Sequence, residues 1–269
     1  MKHRPTPVSR RAVTKVGVLL SFGGSQLVAC GDGEGTGGRR IELATTVEAE
    51  ALDFVNAYGQ RVELRRALIS IGPLQYLTGA PVARRTLIER VFGIRVAHAH
   101  PGHYVAGGVL GEMLRPASVD LAAGPASLGV GPAVTGTALS GRFSFQSPPA
   151  GDFEAELGED LVIVEGQATL EDASLSFRTR GRLEDVVDAH GAPVVEGCEF
   201  QNGVLDADGS VRLVVRPSLW LDQVDFSLVP LAEAGNTIEL EPGQSPHKAF
   251  ARGLKKAAAY LFEYMPARA

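Results

Sequence analysis

Three of the six histidines fall inside six residues, in the stretch Ala97-His98-Ala99-His100-Pro101-Gly102-His103-Tyr104. Imidazole is the commonest metal-binding side chain and titrates near neutral pH without help from its surroundings. Three imidazoles set this close would repel one another once protonated, so a shared cation is a natural partner. If His98 and His100 continue a strand, their rings leave the same face one pleat repeat apart. The Pro101-Gly102 turn could then fold His103 back toward them. That gives three nitrogen ligands at a strand end, a donor set that suits zinc or copper ions. Tyr104 would stand behind the ligands, and Glu112 could add a carboxylate.

Two further histidines could complete such a site from a distance. His247 stands at the start of a predicted helix, whose positive end favours the neutral, ligand-ready ring. His190 lies in a Gly-flanked loop. The alternative for all five is ordinary polar surface. Other chemistry finds little support, since the chain has no G-x-S-x-G elbow, no Walker A string and no H-E-x-x-H. Asp206-Ala207-Asp208-Gly209-Ser210 resembles the opening of a calcium loop, but the later glutamate is missing and a turn is expected. Trp220 is expected in the core with its N–H bonded to a neighbour. Cys30 and Cys198 are the only cysteines, and Cys198 reads as a small buried hydrophobe.

Short alternating segments between Gly/Pro turns must position these groups. Strands are predicted over 41–47, 60–71, 92–97, 118–121, 130–139, 142–146, 161–170, 173–179, 194–200, 211–215 and 219–229. The stretch 92–97 leads directly into the histidines, after an amphipathic segment at 84–91. In 60–71 the buried face changes at Arg65-Arg66, which predicts a bulge. Pro148-Pro149-Ala150-Gly151 is a break where a boundary could fall. Residues 246–264 read as a helix, with Ser245 as cap, Pro246 in the first turn and Phe250, Leu254, Ala257 and Leu261 on one face. The expected fold is mostly β: an antiparallel β-sandwich or barrel-like single domain over 41–269 with this one C-terminal helix.

The first residues read as an address. Lys2, Arg4, Arg10, Arg11 and Lys15 form a positive region without acidic residues, followed by an apolar run at 16–22. That run is far shorter than the roughly 20 residues a membrane span needs. Leu27-Val28-Ala29-Cys30 resembles the lipobox of bacterial lipoproteins, which implies a signal peptide over 1–29 and acylation of Cys30. Ser9-Arg10-Arg11-Ala12-Val13-Thr14-Lys15 is similar to the twin-arginine export motif, which implies export in the folded state. Residues 30–40 are then a lipidated cysteine and a glycine-rich tether, and the absence of an acidic residue directly after Cys30 points to the outer membrane. Without the five leading basic residues, 21 Lys and Arg stand against 31 Asp and Glu, a formal charge of −10. Such a balance disfavours nucleic acid or an anionic lipid surface as a partner.

An exported β-sandwich with an early strand, Val62-Glu63-Leu64-Arg65-Arg66-Ala67-Leu68-Ile69-Ser70, and a histidine near its C-terminal segment resembles the methanobactin-associated periplasmic metal-binding proteins. The layout covers about two thirds of the mature chain. The resemblance implies copper held through histidines and, in some members, an oxidised tryptophan; in this chain it touches His247 and Trp220. The expected function is a membrane-anchored, non-catalytic envelope lipoprotein binding copper or zinc through His98, His100 and His103, with His247 as a further ligand. Sequestration, sensing or delivery to an envelope metal-handling partner would be its task. A structural or adhesion lipoprotein without metal is one alternative, and a metal-dependent hydrolase or oxidase using the same histidines is the other.

Overall fold

Period-two patterning sets the first element. Along β1 (Arg40–Ala49), Ile41, Leu43, Thr45 and Val47 are buried while Arg40 and Glu42 are exposed. The computed structural model describes residues 38–81, 105–170, 173–229 and 236–267, within one compact unit that runs from Gly37 to Ala269. Next come β2 (Asp53–Val55), β3 (Arg61–Ile71), β4 (Leu74–Leu77), β5 (Val109–Met113) and β6 (Ala117–Asp120). They are followed by β7 (Ala126–Val134), β8 (Gly136–Thr137), β9 (Ser140–Ser144) and the helical turn α1 (Glu154–Leu157). After β10 (Val162–Leu170) and β11 (Ala173–Gly181) the chain forms α2 (Leu183–Val186), β12 (Val194–Gln201) and β13 (Val204–Leu205). It ends with β14 (Gly209–Val215), α3 (Pro217–Leu221), β15 (Ile238–Glu239), α4 (Ser245–Leu254) and β16 (Tyr260–Pro266).

Eight of these strands close a barrel in the order β1-β14-β16-β12-β9-β4-β5-β7. A barrel of this size encloses a space that side chains can just fill, and here aromatic rings fill it. Tyr76 from β4, Phe200 from β12 and Phe262 from β16 meet with centroids 5.5–6.0 Å apart. Phe143 of β9 stacks on Tyr260 at 4.1 Å. The Tyr76 hydroxyl shares a buried hydrogen bond of 2.8 Å with Thr45 Oγ1. Gly141 gives the Phe262 ring its place, since any Cβ there would overlap it.

The second sheet runs β15-β11-β10-β3-β2, with β6 on the far part of β3. An isolated bridge, Ile71 to Phe145, joins it to the barrel, and one continuous apolar core spans both. The bulge expected in the second strand is present: Glu165 pairs with Arg66 and Gly166 with Leu64, so Arg65 is the extra residue. Phe143 and Phe145 share a face as period two requires, their rings 4.9 Å apart.

Three expectations need correction. The sheets are not purely antiparallel, because β1/β14, β12/β16 and β11/β15 pair in parallel. The C-terminal helix covers Ser245–Leu254 only, with Gln244 rather than Ser245 at its N-cap. Beyond a 3-10 turn at Ala257–Ala259 the chain becomes β16, which completes the barrel between β14 and β12. Residues 219–229 are not a strand either; Pro217 starts the short helix α3, and a 3-10 turn follows at Phe226–Leu228. The predicted segments at 84–91 and 92–97 lie outside the described residues.

Candidate functional site

His98, His100, His103 and Tyr104 lie outside the described residues, as does Cys30; what is described is the frame to which the histidine stretch attaches. It belongs to the connection from β4 to β5, whose base is sewn by hydrogen bonds. Thr78 N–H donates to Gly108 O at 3.0 Å, Gly79 N–H to Ala106 O at 2.9 Å, and Gly108 N–H to Thr78 Oγ1 at 2.8 Å. Ser140 Oγ on the neighbouring strand donates to Gly79 O at 2.6 Å. Glycine is required at position 79, where a Cβ would strike the Val105 and Ala106 carbonyls. This base sits on the same barrel rim as the start of β1, because Arg40 pairs with Val134, Ala133 with Gly111, and Leu77 with Val109. Glu112, the carboxylate considered for the same site, is half-buried on β5 opposite Gln75.

His247 is at the other end of the barrel, on α4, and is 3% exposed. Its Nε2 lies 3.0 Å from the Arg180 carbonyl; a carbonyl oxygen only accepts, so this ring nitrogen carries a proton. The Asp185 carboxylate is 3.6 Å from the same atom. The ring therefore bolts α4 to the end of β11. The surrounding charges continue the clamp, for Asp160, almost fully buried, takes Arg180 Nη1 at 3.0 Å and Arg182 Nε at 3.1 Å. Those bonds to Asp160 hold both guanidinium pKa values above their ordinary range. Arg180 also reaches Glu239 of β15 at 3.1 Å. The sequence did not single out this network, although R-x-R at 180–182 beside an acidic residue at 160 is its trace.

The remaining candidates have settled roles. His190 is exposed in a turn, where Asp188 Oδ1 accepts the His190 and Ala192 backbone N–H groups at 2.8 and 2.9 Å. Those donors, Ala192 first, lower the Asp188 pKa. Cys198 is fully buried, its thiol donating to Val195 O at 3.3 Å, and burial pushes its pKa up to about 12. It is a core residue, as its type suggested. Trp220 is fully buried too, but on a helix, and its N–H makes no hydrogen bond of good geometry. Its approach to Tyr260 slightly favours the ionised phenol, and burial outweighs that to raise the Tyr260 pKa well above 10. Asp206 and Asp208 serve a turn, Asp208 Oδ1 accepting Glu42 N–H at 2.9 Å.

Among the described residues no group of three or more His, Cys, Asp or Glu side chains is arranged to hold a metal ion. One concave feature went unread in the sequence: a groove of about 400 Å³ between α2, the Pro242-Gly243 turn and α4, lined by Lys248, Arg252 and Lys255. Their i, i+4, i+7 spacing was the available signal. No protein-family model matches this chain, and neither does any curated protein or solved structure.

Proposed function

We propose that this chain is a lipid-anchored protein of the bacterial cell envelope, held at the outer membrane through Cys30, that binds copper or zinc through His98, His100 and His103. The observation that carries the reading is the density of imidazole, three rings within six residues. Two features of the fold support it. The histidine stretch springs from a hydrogen-bonded base on a barrel filled with aromatic side chains, which suits a site that must be held in shape. It also leaves the rim where β1 begins, nine residues after Cys30 by the count to Arg39. A metal carried there would sit at the end of the barrel that the proposed tether joins, which suits exchange with a membrane partner. His247 is left out of the ligand set because it lies buried on α4, at the end of the barrel away from the base of the histidine stretch.

The test is elemental analysis of full-length protein purified after its native export. The wild type should carry about one copper or zinc per chain, and His98→Ala/His100→Ala/His103→Ala should carry none while keeping the far-UV spectrum of the barrel. His247→Ala should retain the metal and lose thermal stability instead. Wild type without stoichiometric metal, or a triple variant that still holds it, overturns the metal reading and leaves a tethered structural or adhesion protein.

A further inference from the structure

We propose that the groove between α2 and α4 binds a compact polyanion bearing phosphate esters, through Lys248, Arg252 and Lys255. The placement of lysine is the first observation. After Lys15 the chain has only three, Lys248, Lys255 and Lys256, all on or beside α4. Elsewhere in the described body, with Arg39, Arg40, Arg65 and Arg115 as the exceptions, most cations are arginines spent on carboxylates. Examples are Arg66 with Glu156 at 2.6 Å, Arg178 with Glu165 at 3.3 Å, and Arg216 with Glu50 at 2.9 Å. Lys256 follows that habit through Asp222 at 3.8 Å. Among the described residues, Lys248, Arg252 and Lys255 have no carboxylate within ion-pair distance, and all three are exposed.

One of the three positions is unfavourable for the helix alone. Arg252 and Lys255 lie at the C-terminal end of α4, where the macrodipole welcomes a cation. Lys248 lies in the first turn, where it does not, and its neighbour one turn on is the like-charged Arg252. A local cost of this kind marks a site whose return lies outside the helix. The three residues share one face of α4, and all three line the groove. The small residues Ala251 and Gly243 also line it. Two carboxylates line it too: Glu184, which is exposed, and Asp185, which is engaged by the Arg182 backbone N–H at 3.0 Å and lies beside His247. The chain carries a net charge of −5, so an anion gains nothing from the global field and must be held by these local cations. Multiply charged phosphate suits them, because ammonium and guanidinium groups donate several charge-assisted hydrogen bonds to its oxygens.

The phosphate could belong to a soluble molecule or to a lipid headgroup, and two probes separate these. Full-length protein is titrated calorimetrically with inorganic pyrophosphate, and its unacylated Cys30→Ser form is sedimented with phosphatidylglycerol vesicles, at low and at moderate salt. Binding of pyrophosphate, weakened by salt, assigns the groove to a soluble phosphate ester; binding of vesicles without pyrophosphate assigns it to a headgroup. In either case Lys248→Gln/Arg252→Gln/Lys255→Gln should weaken binding by about tenfold or more, and Lys256→Gln should leave it unchanged. The triple variant should also melt no lower than wild type, because it removes exposed like charges. Failure of both probes to bind, or equal binding by the triple variant, overturns the proposal.

Discussion

Buried phenol and thiol groups set how the core answers to alkaline pH. Tyr76 is buried, its phenol pushed up to about 12 although the bond to Thr45 works the other way, and Cys198 is held at about 12 by burial. Both groups are neutral in the fold, whereas their ordinary values are 10.0 and 9.0. Their contribution is therefore complete below about pH 9 and is lost as pH rises toward 12. Urea midpoints measured at pH 7, 9.5 and 11 should fall along that limb. Tyr76→Phe should cost about 1–3 kcal/mol at pH 7, because Thr45 Oγ1 is left buried without its partner, and should make the alkaline fall shallower. That Cys198 and Trp220 are core residues was legible from side-chain type alone. That His247 donates to a backbone carbonyl was not, since its partner is 67 residues away.

Elements fared according to how local their determinants are. The bulge at Arg65 could be read because two adjacent polar residues interrupt a strict alternation, and register follows from period two. The end of the C-terminal helix could not. Ala257, Ala258 and Ala259 have high helix propensity, and Leu254, Ala257 and Leu261 fall on one helical face. Yet Tyr260, Phe262 and Tyr264 also alternate, and pairing with β14 on one side and β12 on the other decides for strand. Close approach adds a constraint invisible to propensity. Gly141 lies flat against Phe262, so Gly141→Ala, which β-propensity would tolerate, should lower stability by about 1–3 kcal/mol through overpacking, measurable as a reduced urea midpoint with unchanged slope.

For the whole molecule, closure is the property that short-range signals did not carry. A mostly β chain of many short strands was evident, but the parallel contacts of β1 with β14 and of β12 with β16 join segments far apart in sequence. A chain ending at Ala259 would lack β16 and leave the edges of β14 and β12 open. Such a truncation should show no cooperative thermal transition and should bind the dye ANS, whereas the full chain should melt cooperatively and leave the dye unbound. The arrangement around β1 has a mechanical side as well. It is gripped along its length by β7 on one flank and β14 on the other, and it is the strand into which the linker proposed over residues 30–40 leads. A pull on that linker, directed along the strand, loads both ladders in shear, so their hydrogen bonds must yield together instead of unzipping one by one. The strand at the end of the leash is thus the one set to hold under tension.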